Sequence, residues 1–473
     1  MTRRRLIFIL ATTTALGALA LSAARARDVP KVATGFVADI LCSSTFVSGL
    51  DPDRVFSETV DAMPGVNLIA WALHADVDRS RRDVTVTLLG FSRSHAVYRD
   101  GYGCTLDHGT VAELSLPPDD RTPALLPEIA GPALVEATTP QLGAALDRAF
   151  AEPAAPTFRR TKAVVVVKDG HVVAERYAKG YGIDTQVLGF SVTKSVISAL
   201  TGILVRQGKL TLDQPAPVAA WQSPDDPHHA ITVDQLLRQT AGLAVGSSLN
   251  ASLAATLEPV NRMKFGESDM AAYAESMPLA TPPGSTWNYN DGNYVILSQI
   301  IREAVGGHAA DVKRFARREL FDPLGMRHLT LQFDASGNPE GSGSMLATAR
   351  DWARFGMLYL DDGVVGGKRI LPEGWVQYSA SPTPNAWVGY GAGFWTNQGD
   401  SRAANYRIGH GWPRDAFMAK GTIGQYVIVI PSQRLVIVRL GLSPNWPDID
   451  GVSQLIGDVI AATGAGAKSA SND

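Results

Sequence analysis

The sequence is poor in cysteine, in metal-binding motifs and in charge of one sign, and each shortage excludes a class of function. Only Cys42 and Cys104 occur among 473 residues. Without a neighbouring histidine cluster they do not form a zinc site, and their separation excludes C-x-x-C redox chemistry. Neither H-E-x-x-H nor G-x-S-x-G is present, so the sequence indicates neither a zinc protease nor an α/β-hydrolase elbow. The net charge of −3 has mixed signs, so we expect no nucleic acid as a partner.

Long apolar runs are also scarce, and the one that stands out is at the N-terminus. Residues 6–21 carry no charge, follow Arg3, Arg4 and Arg5, and precede an A-x-A-like sequence at residues 24–26. This pattern predicts a signal peptide over residues 1–26, with an uncleaved membrane anchor as the alternative. The arginines leave Sec and Tat export both open. We therefore expect a periplasmic or secreted protein without a membrane span after cleavage.

The two cysteines fit an exported protein. In an oxidising compartment we expect Cys42 and Cys104 to form a disulfide, although two buried free thiols are the alternative. Closing a loop of this length would stabilise the fold by about 4 kcal/mol in the chain-entropy model.

Composition divides the rest of the chain into four segments. Short alternating apolar runs at 84–89 and 95–98, separated by glycines, predict a small β-rich region. A proline-dense stretch follows and predicts an extended linker, and a small, polar C-terminus predicts a disordered tail. The predicted boundaries are 27–116 for the β-rich region, 117–140 for the Pro-rich linker, 141–463 for the catalytic domain and 464–473 for the tail.

Helical and strand patterns alternate in the predicted catalytic domain. Two β-branched runs flank Asp169-Gly170, which is a strong hairpin signal. Late strands at 425–430 and 435–440 precede a closing helix, so strands from both ends of the domain are expected to form one sheet. The other predicted elements are strands at 163–167 and 171–177, and helices at 191–207, from the Thr348 cap to 360, and at 448–462.

Ser191 and Lys194 open the first long helix of this domain. Their i, i+3 spacing places both side chains on one face of the first turn. A serine hydroxyl becomes a useful nucleophile when a neighbouring group removes its proton. A lysine can do so if burial or a nearby cation lowers its pKa, and free N–H groups at a helix N-terminus can hold an oxyanion. Ser-x-x-Lys also occurs by chance on many helices.

Two further segments supply groups that could complete such a site. Tyr289 could relay a proton to the leaving group, although a tyrosine packed in a loop is the more common situation. In the predicted strand at 416–421, Gly421 would let a substrate approach closely, and the N–H of Thr422 could complete an oxyanion hole.

The order of these segments resembles the β-lactamase-related serine hydrolases, which include penicillin-binding proteins, class C β-lactamases, esterases and 6-aminohexanoate-dimer hydrolases. The resemblance covers roughly residues 145–463. It implies a mixed α/β (α+β) fold in which helices flank an antiparallel sheet beside a helical subdomain. Further similar segments lie at 231–243, 294–301, 320–326, 341–344 and 350–356.

Carried over to this chain, the family pattern makes Ser191 the nucleophile, Lys194 its base or proton partner, and Tyr289 the motif tyrosine. Two positions depart from it. Asp291 replaces the usual asparagine of Y-x-N, so an acceptor stands where an amide orients substrate. The K-T-G position reads Ala419-Lys420-Gly421, which lacks the leading cation, and His410 is a rival for the missing polar group.

The resemblance and its departures predict an exported serine hydrolase that cleaves an ester or amide through an acyl-enzyme. We expect a small-molecule ester, amide or peptide-like substrate and no metal or organic cofactor; the oligomeric state stays open. The loss of a cation near a substrate carboxylate disfavours, without excluding, a β-lactamase or D,D-peptidase. A non-catalytic peptidoglycan-binding descendant is the alternative from another functional class.

Overall fold

The computed structural model describes most of the chain after the predicted signal peptide. The described residues are 28–60, 63, 65–109, 112, 114–116, 121–154, 158–249, 257–443 and 448–469. The predicted signal peptide at 1–26 and the last four residues of the predicted tail lie outside them. Within these ranges no helix is both long and apolar enough to cross a membrane.

The N-terminal region begins with helices and continues as a four-stranded antiparallel sheet. Helix α1 spans residues 28–42 and is followed by a π-helical turn, Ser43–Val47, and by α2, Pro52–Val55. The prediction of a β-rich region is therefore incomplete, because apolar residues at helical spacing bury α1 against the sheet. The strands, in order β1-β2-β3-β4, are β1 (Leu73–Asp78), β2 (Asp83–Leu88), β3 (Ser92–Arg99) and β4 (Gly103–Leu106).

The predicted disulfide is present in this region. Cys42 at the end of α1 is bonded to Cys104 in β4, and both residues belong to the apolar cluster between helix and sheet. The cross-link thus joins the helical and the β part of the N-terminal region.

The predicted linker runs along the catalytic domain in an extended conformation. The N–H groups of Leu125 and Leu126 both donate to the carbonyl of Pro323. Ile129 is buried, and its carbonyl accepts from the N–H of Val172. The described part of the linker is therefore held on the surface of the catalytic domain by backbone hydrogen bonds.

A six-stranded antiparallel sheet forms the centre of the catalytic domain, in the order β12-β13-β14-β15-β5-β6. As predicted, it combines strands from both ends of the domain. Asp169 and Gly170 close the β5–β6 hairpin with positive φ angles of 49° and 91°, as a type I′ turn requires. The strands are β5 (Thr161–Lys168), β6 (His171–Tyr177), β12 (Trp395–Thr396), β13 (Phe417–Gly421), β14 (Gln425–Ile430) and β15 (Leu435–Gly441).

Smaller sheets and the helices complete the domain. β7 (Val187–Leu188), β8 (Leu329–Leu331) and β9 (Met345–Ala347) form a three-stranded sheet, and β10 (Val364–Val365) pairs with β11 (Lys368–Arg369). The helices are α3 (Pro140–Phe150), α4 (Val192–Arg206), α5 (Val233–Leu237), α6 (Pro259–Gly266), α7 (Met270–Glu275), α8 (Gly292–Val305), α9 (Ala309–Ala316), α10 (Asp322–Leu324), α11 (Ala349–Leu360), α12 (Trp375–Ala380), α13 (Arg402–Gly409) and α14 (Ile449–Ser469).

Helices cover both faces of the large sheet. Val165 and Val167 of β5 point into the core that contains α4 and α11, whereas Val164 and Val166 point into the core that contains α3 and α14. A strand that is buried on both faces reads as a continuous run of β-branched residues, which explains the sequence of β5. The fold is the predicted one: an antiparallel sheet flanked by helices, with a helical subdomain.

The final helix continues past its predicted end. α14 extends to Ser469, whereas the sequence pattern predicted a disordered tail from Gly464. The added residues contain no proline, so each of them keeps the backbone N–H that the hydrogen bonds of a helix require.

Candidate active site

Ser191 is the N-cap residue of α4, and only Gly189 and Phe190 separate it from the short strand β7. The intervening Phe190 has a φ of +47°, a left-handed conformation that costs free energy for a bulky residue. Thr193 stabilises this turn by donating from Oγ1 to the carbonyl of Phe190 at 2.7 Å, and it accepts from the N–H of Met345 at 3.1 Å. The strained turn therefore holds the Ser191 hydroxyl at a fixed position.

Lys194 lies one turn into the helix and is 1% exposed. Its Nζ donates to Ser191 Oγ at 3.0 Å, to Asp291 Oδ1 at 2.7 Å and to the carbonyl of Ser342 at 2.7 Å. These contacts use all three donors of the ammonium group. The predicted pairing of Ser191 with Lys194 is thus present in the geometry.

Asp291 connects Lys194 to a second lysine. Its Oδ2 lies 3.2 Å from Nζ of Lys264 on α6, and the same Nζ lies 3.8 Å from Oε1 of Glu340. Glu340 accepts from the hydroxyl of Ser342 and from the N–H of Gly343. Lys194, Asp291, Lys264 and Glu340 form what we call the buried charge network, in which two cations alternate with two carboxylates.

The network fixes the protonation of its members. Burial favours the neutral amine of Lys194, but the Asp291 carboxylate outweighs it and raises the pKa of Lys194 above its ordinary value. Burial would raise the pKa of Asp291, but Lys194 and Lys264 outweigh it and hold this pKa below its ordinary value. Lys194 is therefore an ammonium in the resting protein, and a lowered pKa, the condition under which a lysine could act as the base, is not met there.

Asp39 of α1 brings a further carboxyl group to this network from the N-terminal region. Burial, and to a smaller extent the charge of Glu340, raise the pKa of Asp39 to about 7, against an opposing effect of Lys264. A carboxyl group whose pKa is higher in the folded than in the unfolded state lowers the free energy of unfolding at pH values where the unfolded chain ionises more readily.

This shift predicts how stability changes with pH. Below about pH 4 Asp39 is protonated in both the folded and the unfolded state. Between about pH 4 and 7 only the unfolded state loses the proton, so the free energy of unfolding falls. Above about pH 7 both states are ionised and the free energy of unfolding falls no further on account of Asp39. The shift corresponds to at most roughly 4 kcal/mol. Asp39→Asn should therefore raise the free energy of unfolding at pH 8 and leave it nearly unchanged at pH 4. Equal effects at both pH values, measured by urea unfolding, would count against this assignment.

Tyr289 packs beside Lys194 in a cluster of aromatic side chains. The Lys194 Nζ lies 5.0 Å from the centroid of the Tyr289 ring, and Tyr390 and Trp395 contact the same ring. None of the hydrogen bonds between described residues joins the Tyr289 hydroxyl to Ser191. The structure thus places the predicted tyrosine next to the Ser191–Lys194 pair, through its ring.

The end of β13 lies against the segment that precedes Ser191. A Cβ atom on Gly421 would stand 2.1 Å from the carbonyl oxygen of Gly189, so only glycine allows this approach. The following residue, Thr422, lines the same cleft as Ser191. No backbone carbonyl among the described residues accepts from the N–H of Ser191 or of Thr422, and both groups are available to a ligand.

The other two candidates of the third motif lie elsewhere. The Lys420 ammonium packs over the rings of Trp395 and Tyr426, at 4.7 and 5.7 Å from their centroids, and does not line the cleft. Burial, with a contribution from Arg407, lowers the pKa of Lys420 to about 8. Alternation along β13 explains this position, because Lys420 points to the opposite face from Ala419.

His410 is not part of the site. It caps the C-terminus of α13, is exposed and stacks on Tyr406, whose carbonyl lies 2.7 Å from its Nδ1. The prediction from Gly409-His410-Gly411 is wrong, since this pattern ends a surface helix and does not belong to a strand beside the cleft.

The cleft beside Ser191 has a volume of about 230 Å³. Ser191, Asp291, Lys264 and Thr422 lie on its polar side, and α1 and α6 contribute apolar side chains. We call this space the Ser191 cleft. Ser191, members of the buried charge network and Thr422 thus line one cavity.

Comparison with known proteins decides the family. The β-lactamase family profile matches residues 146–450, more than half of the chain. The chain belongs to the β-lactamase family. A 6-aminohexanoate-dimer hydrolase from Paenarthrobacter ureafaciens is 25% identical over 303 residues, covering 61% of this chain and 74% of that protein. Family membership and this hydrolase relative identify the chain as a hydrolase of the serine β-lactamase type.

Solved structures show the same fold. A candidate 6-aminohexanoate-dimer hydrolase from Bacillus anthracis has a TM-score of 0.56 at 22% identity, covering 76% of this chain and 91% of that chain. A penicillin-binding protein homologue from Caulobacter crescentus has a TM-score of 0.53 at 18% identity, covering 70% and 100%. The N-terminal region precedes the segment that the β-lactamase family profile matches.

Sequence reasoning missed several groups around Ser191 of this β-lactamase-family protein. Lys264, Glu340 and Asp39 come from α6, a loop after β8, and α1, and no motif marks them. Asp291 was predicted to accept a hydrogen bond from substrate, but its two carboxylate oxygens are paired with Lys194 and Lys264. The one available signal was Asp291 itself, because a buried carboxylate requires a cationic partner.

Proposed function

We propose that this protein hydrolyses a small ester or amide through an acyl-enzyme on Ser191. The observation that carries the proposal is the 3.0 Å hydrogen bond between Lys194 Nζ and Ser191 Oγ at the wall of the cleft. Buried lysines paired to a serine at a helix start are costly to maintain for packing alone, which supports a chemical role.

In the first half-reaction Ser191 Oγ attacks the substrate carbonyl carbon. Its proton passes to the Lys194–Tyr289 pair, which in the reactive form has already lost one proton to solvent. The N–H groups of Ser191 and Thr422 donate to the oxyanion of the tetrahedral intermediate. The pair then returns the proton to the departing alcohol or amine, and the acyl group stays on Ser191.

In the second half-reaction water takes the place of the leaving group. It attacks the acyl carbon, gives a proton to the Lys194–Tyr289 pair, and releases the acid with regeneration of the Ser191 hydroxyl. Asp291 keeps the positive charge of Lys194 beside the nucleophile throughout. Lys264 balances the charge of Asp291.

The charges of the cleft favour uncharged esters and amides over esters and amides that carry a carboxylate. Lys264 is the one cation among the described residues of the cleft wall, and it is paired with Asp291 and Glu340. A carboxylate of a β-lactam or D-Ala-D-Ala peptide would find no unpaired cation there.

Turnover of a small panel tests the proposal. We expect hydrolysis of p-nitrophenyl esters and of simple anilides, with much slower turnover of nitrocefin. Faster hydrolysis of nitrocefin than of every ester by the full chain would instead support a β-lactamase. A protein that hydrolyses nothing and takes up no fluorophosphonate would support a binding descendant.

Export to the periplasm or medium is part of the proposal. It is supported by the signal-like residues 1–26 and by the Cys42–Cys104 disulfide, which suits an oxidising compartment. Detection of the mature N-terminus after residue 26 in an extracytoplasmic fraction would test it.

Gly421→Ala should reduce catalysis with little effect on substrate binding. The added Cβ must move away from the Gly189 carbonyl, which displaces the Thr422 N–H from the oxyanion. Loss of one such donor lowers kcat by about 10²- to 10³-fold. Gly182→Ala is the matched control, because a Cβ there meets nothing within 4 Å. Equal kcat values for the two variants would refute the oxyanion role of this strand end.

A further inference from the structure

The N-terminal region forms one wall of the Ser191 cleft. Val32, Ala33, Phe36 and Ile40 of α1 line the cavity, opposite apolar residues of the catalytic domain such as Leu249 and Val260. Their spacing places them on one side of the helix. The adjacent side of α1, with Val37 and Leu41, packs into the N-terminal core, to which Ile40 also belongs.

Direct contacts hold this wall in place. The Phe36 ring meets Phe265 of α6 edge to face at 5.5 Å. Gly35 lies so close that a Cβ atom would stand 2.7 Å from the Phe265 carbonyl. Lys31 donates from Nζ to the carbonyl of Gly266 at 2.7 Å. The apolar wall is therefore preformed against α6.

The size and polarity of the cavity limit what it can hold. Small-molecule sites typically have volumes of roughly 300 to 1,000 Å³, so a cleft of about 230 Å³ suits a compact group. Its charged groups are Asp39 and members of the buried charge network, in which Lys264 is already paired, and its uncharged polar side chains include Ser191, Ser247, Ser248 and Asn261. The remaining wall offers contact to an uncharged chain.

We propose that the substrate carries a short to medium unbranched aliphatic chain without a negative charge, bound between α1 and α6 beside its scissile carbonyl. The inference rests on the proposed function and adds the substrate class. It also gives the N-terminal region a role, as the part of the chain that supplies the hydrophobic half of the substrate site.

Two series of substrates test the proposal on the full-length protein. One lengthens the acyl group of p-nitrophenyl esters from acetate to butyrate, hexanoate and octanoate; the other lengthens the alcohol of alkyl acetates. Each methylene that enters the cleft should raise kcat/KM about fourfold until the cavity is full. The series that shows the rise identifies the side of the carbonyl that the cleft holds.

A charged analogue of the same length tests the polarity. The mono-p-nitrophenyl ester of adipic acid should react at least tenfold more slowly than the hexanoate if the acyl side occupies the cleft. For the alcohol side, 3-carboxypropyl acetate and butyl acetate form the matched pair. Faster reaction of the carboxylate-bearing member in the responding series would overturn the proposal.

Variants connect the effect to α1. Phe36→Ala should flatten the rise with chain length, so that the ratio of kcat/KM for hexanoate to kcat/KM for acetate falls several-fold relative to the parent. Leu68→Ala is the control, since this residue of the same region is 60% exposed. If Phe36→Ala fails to fold, Val260→Ala removes apolar surface from the α6 side and should flatten the same rise.

The failures of the two proposals are distinguishable. A flat profile in both series, with hydrolysis that still depends on Ser191, overturns the aliphatic substrate and leaves the acyl-enzyme standing. A steep profile that neither cleft variant changes also overturns the role of the wall. Absence of Ser191-dependent hydrolysis of every ester and amide removes the proposed function and this inference together.

Discussion

Ser191→Ala should lower kcat/KM for ester hydrolysis by about 10⁴- to 10⁶-fold, as removal of a catalytic serine does in other hydrolases. The physical reason is the loss of the oxygen that forms the acyl bond; the charge network and the oxyanion donors remain. Because Lys194 keeps Asp291 and the Ser342 carbonyl as partners, the fold should persist. Turnover of p-nitrophenyl butyrate measures the effect.

Ser195→Ala is a matched control on the same helix. Its hydroxyl donates to the carbonyl of Gly393 at 2.6 Å, away from Ser191, so the variant should retain activity within a few-fold. If Ser191→Ala hydrolysed esters as fast as Ser195→Ala, the nucleophile would be another group.

Asp291→Leu should lower the free energy of unfolding by about 3–5 kcal/mol and abolish most activity. The change leaves the ammonium groups of Lys194 and Lys264 without the carboxylate that joins them, in a buried site where an unpaired charge is costly. Urea unfolding measures the first effect and ester turnover the second. Asp100→Asn, which breaks an exposed ion pair with Arg82, should cost less than about 1 kcal/mol.

A double variant separates charge balance from packing. Combined with Lys264→Met, Asp291→Leu should cost less than the sum of the two single changes, because the second change removes one of the stranded cations. Additive costs would show that Lys264 does not compensate Asp291.

Local sequence patterns predicted the parts of the site that lie within one element. The i, i+3 spacing of Ser191 and Lys194 gives their hydrogen bond as soon as α4 forms, and Asp169-Gly170 specifies its hairpin through backbone conformation alone. The β-branched run of β5 likewise indicates a strand with two buried faces. In each case the physical cause acts over a few neighbouring residues.

The rest of the site depends on tertiary placement. Lys264 meets Asp291 and Glu340 only because α6 packs beside the start of α8 and the loop after β8. No spacing along the chain encodes that approach. The helical start of the N-terminal region was not predicted, because the alternating strand patterns of this region are more prominent than the apolar residues that recur at helical spacing in α1. His410 was misassigned because a short glycine-flanked pattern fits a helix end as well as a strand.

Covalent labelling of the native protein with a fluorophosphonate, followed by peptide mass spectrometry, identifies the residue that acts as the nucleophile. We expect one adduct, on the peptide that contains Ser191, and no adduct in Ser191→Ala or in unfolded protein. A stable adduct on a different residue, or ester hydrolysis that continues at the parent rate once Ser191 is fully labelled, would contradict the proposed role of Ser191.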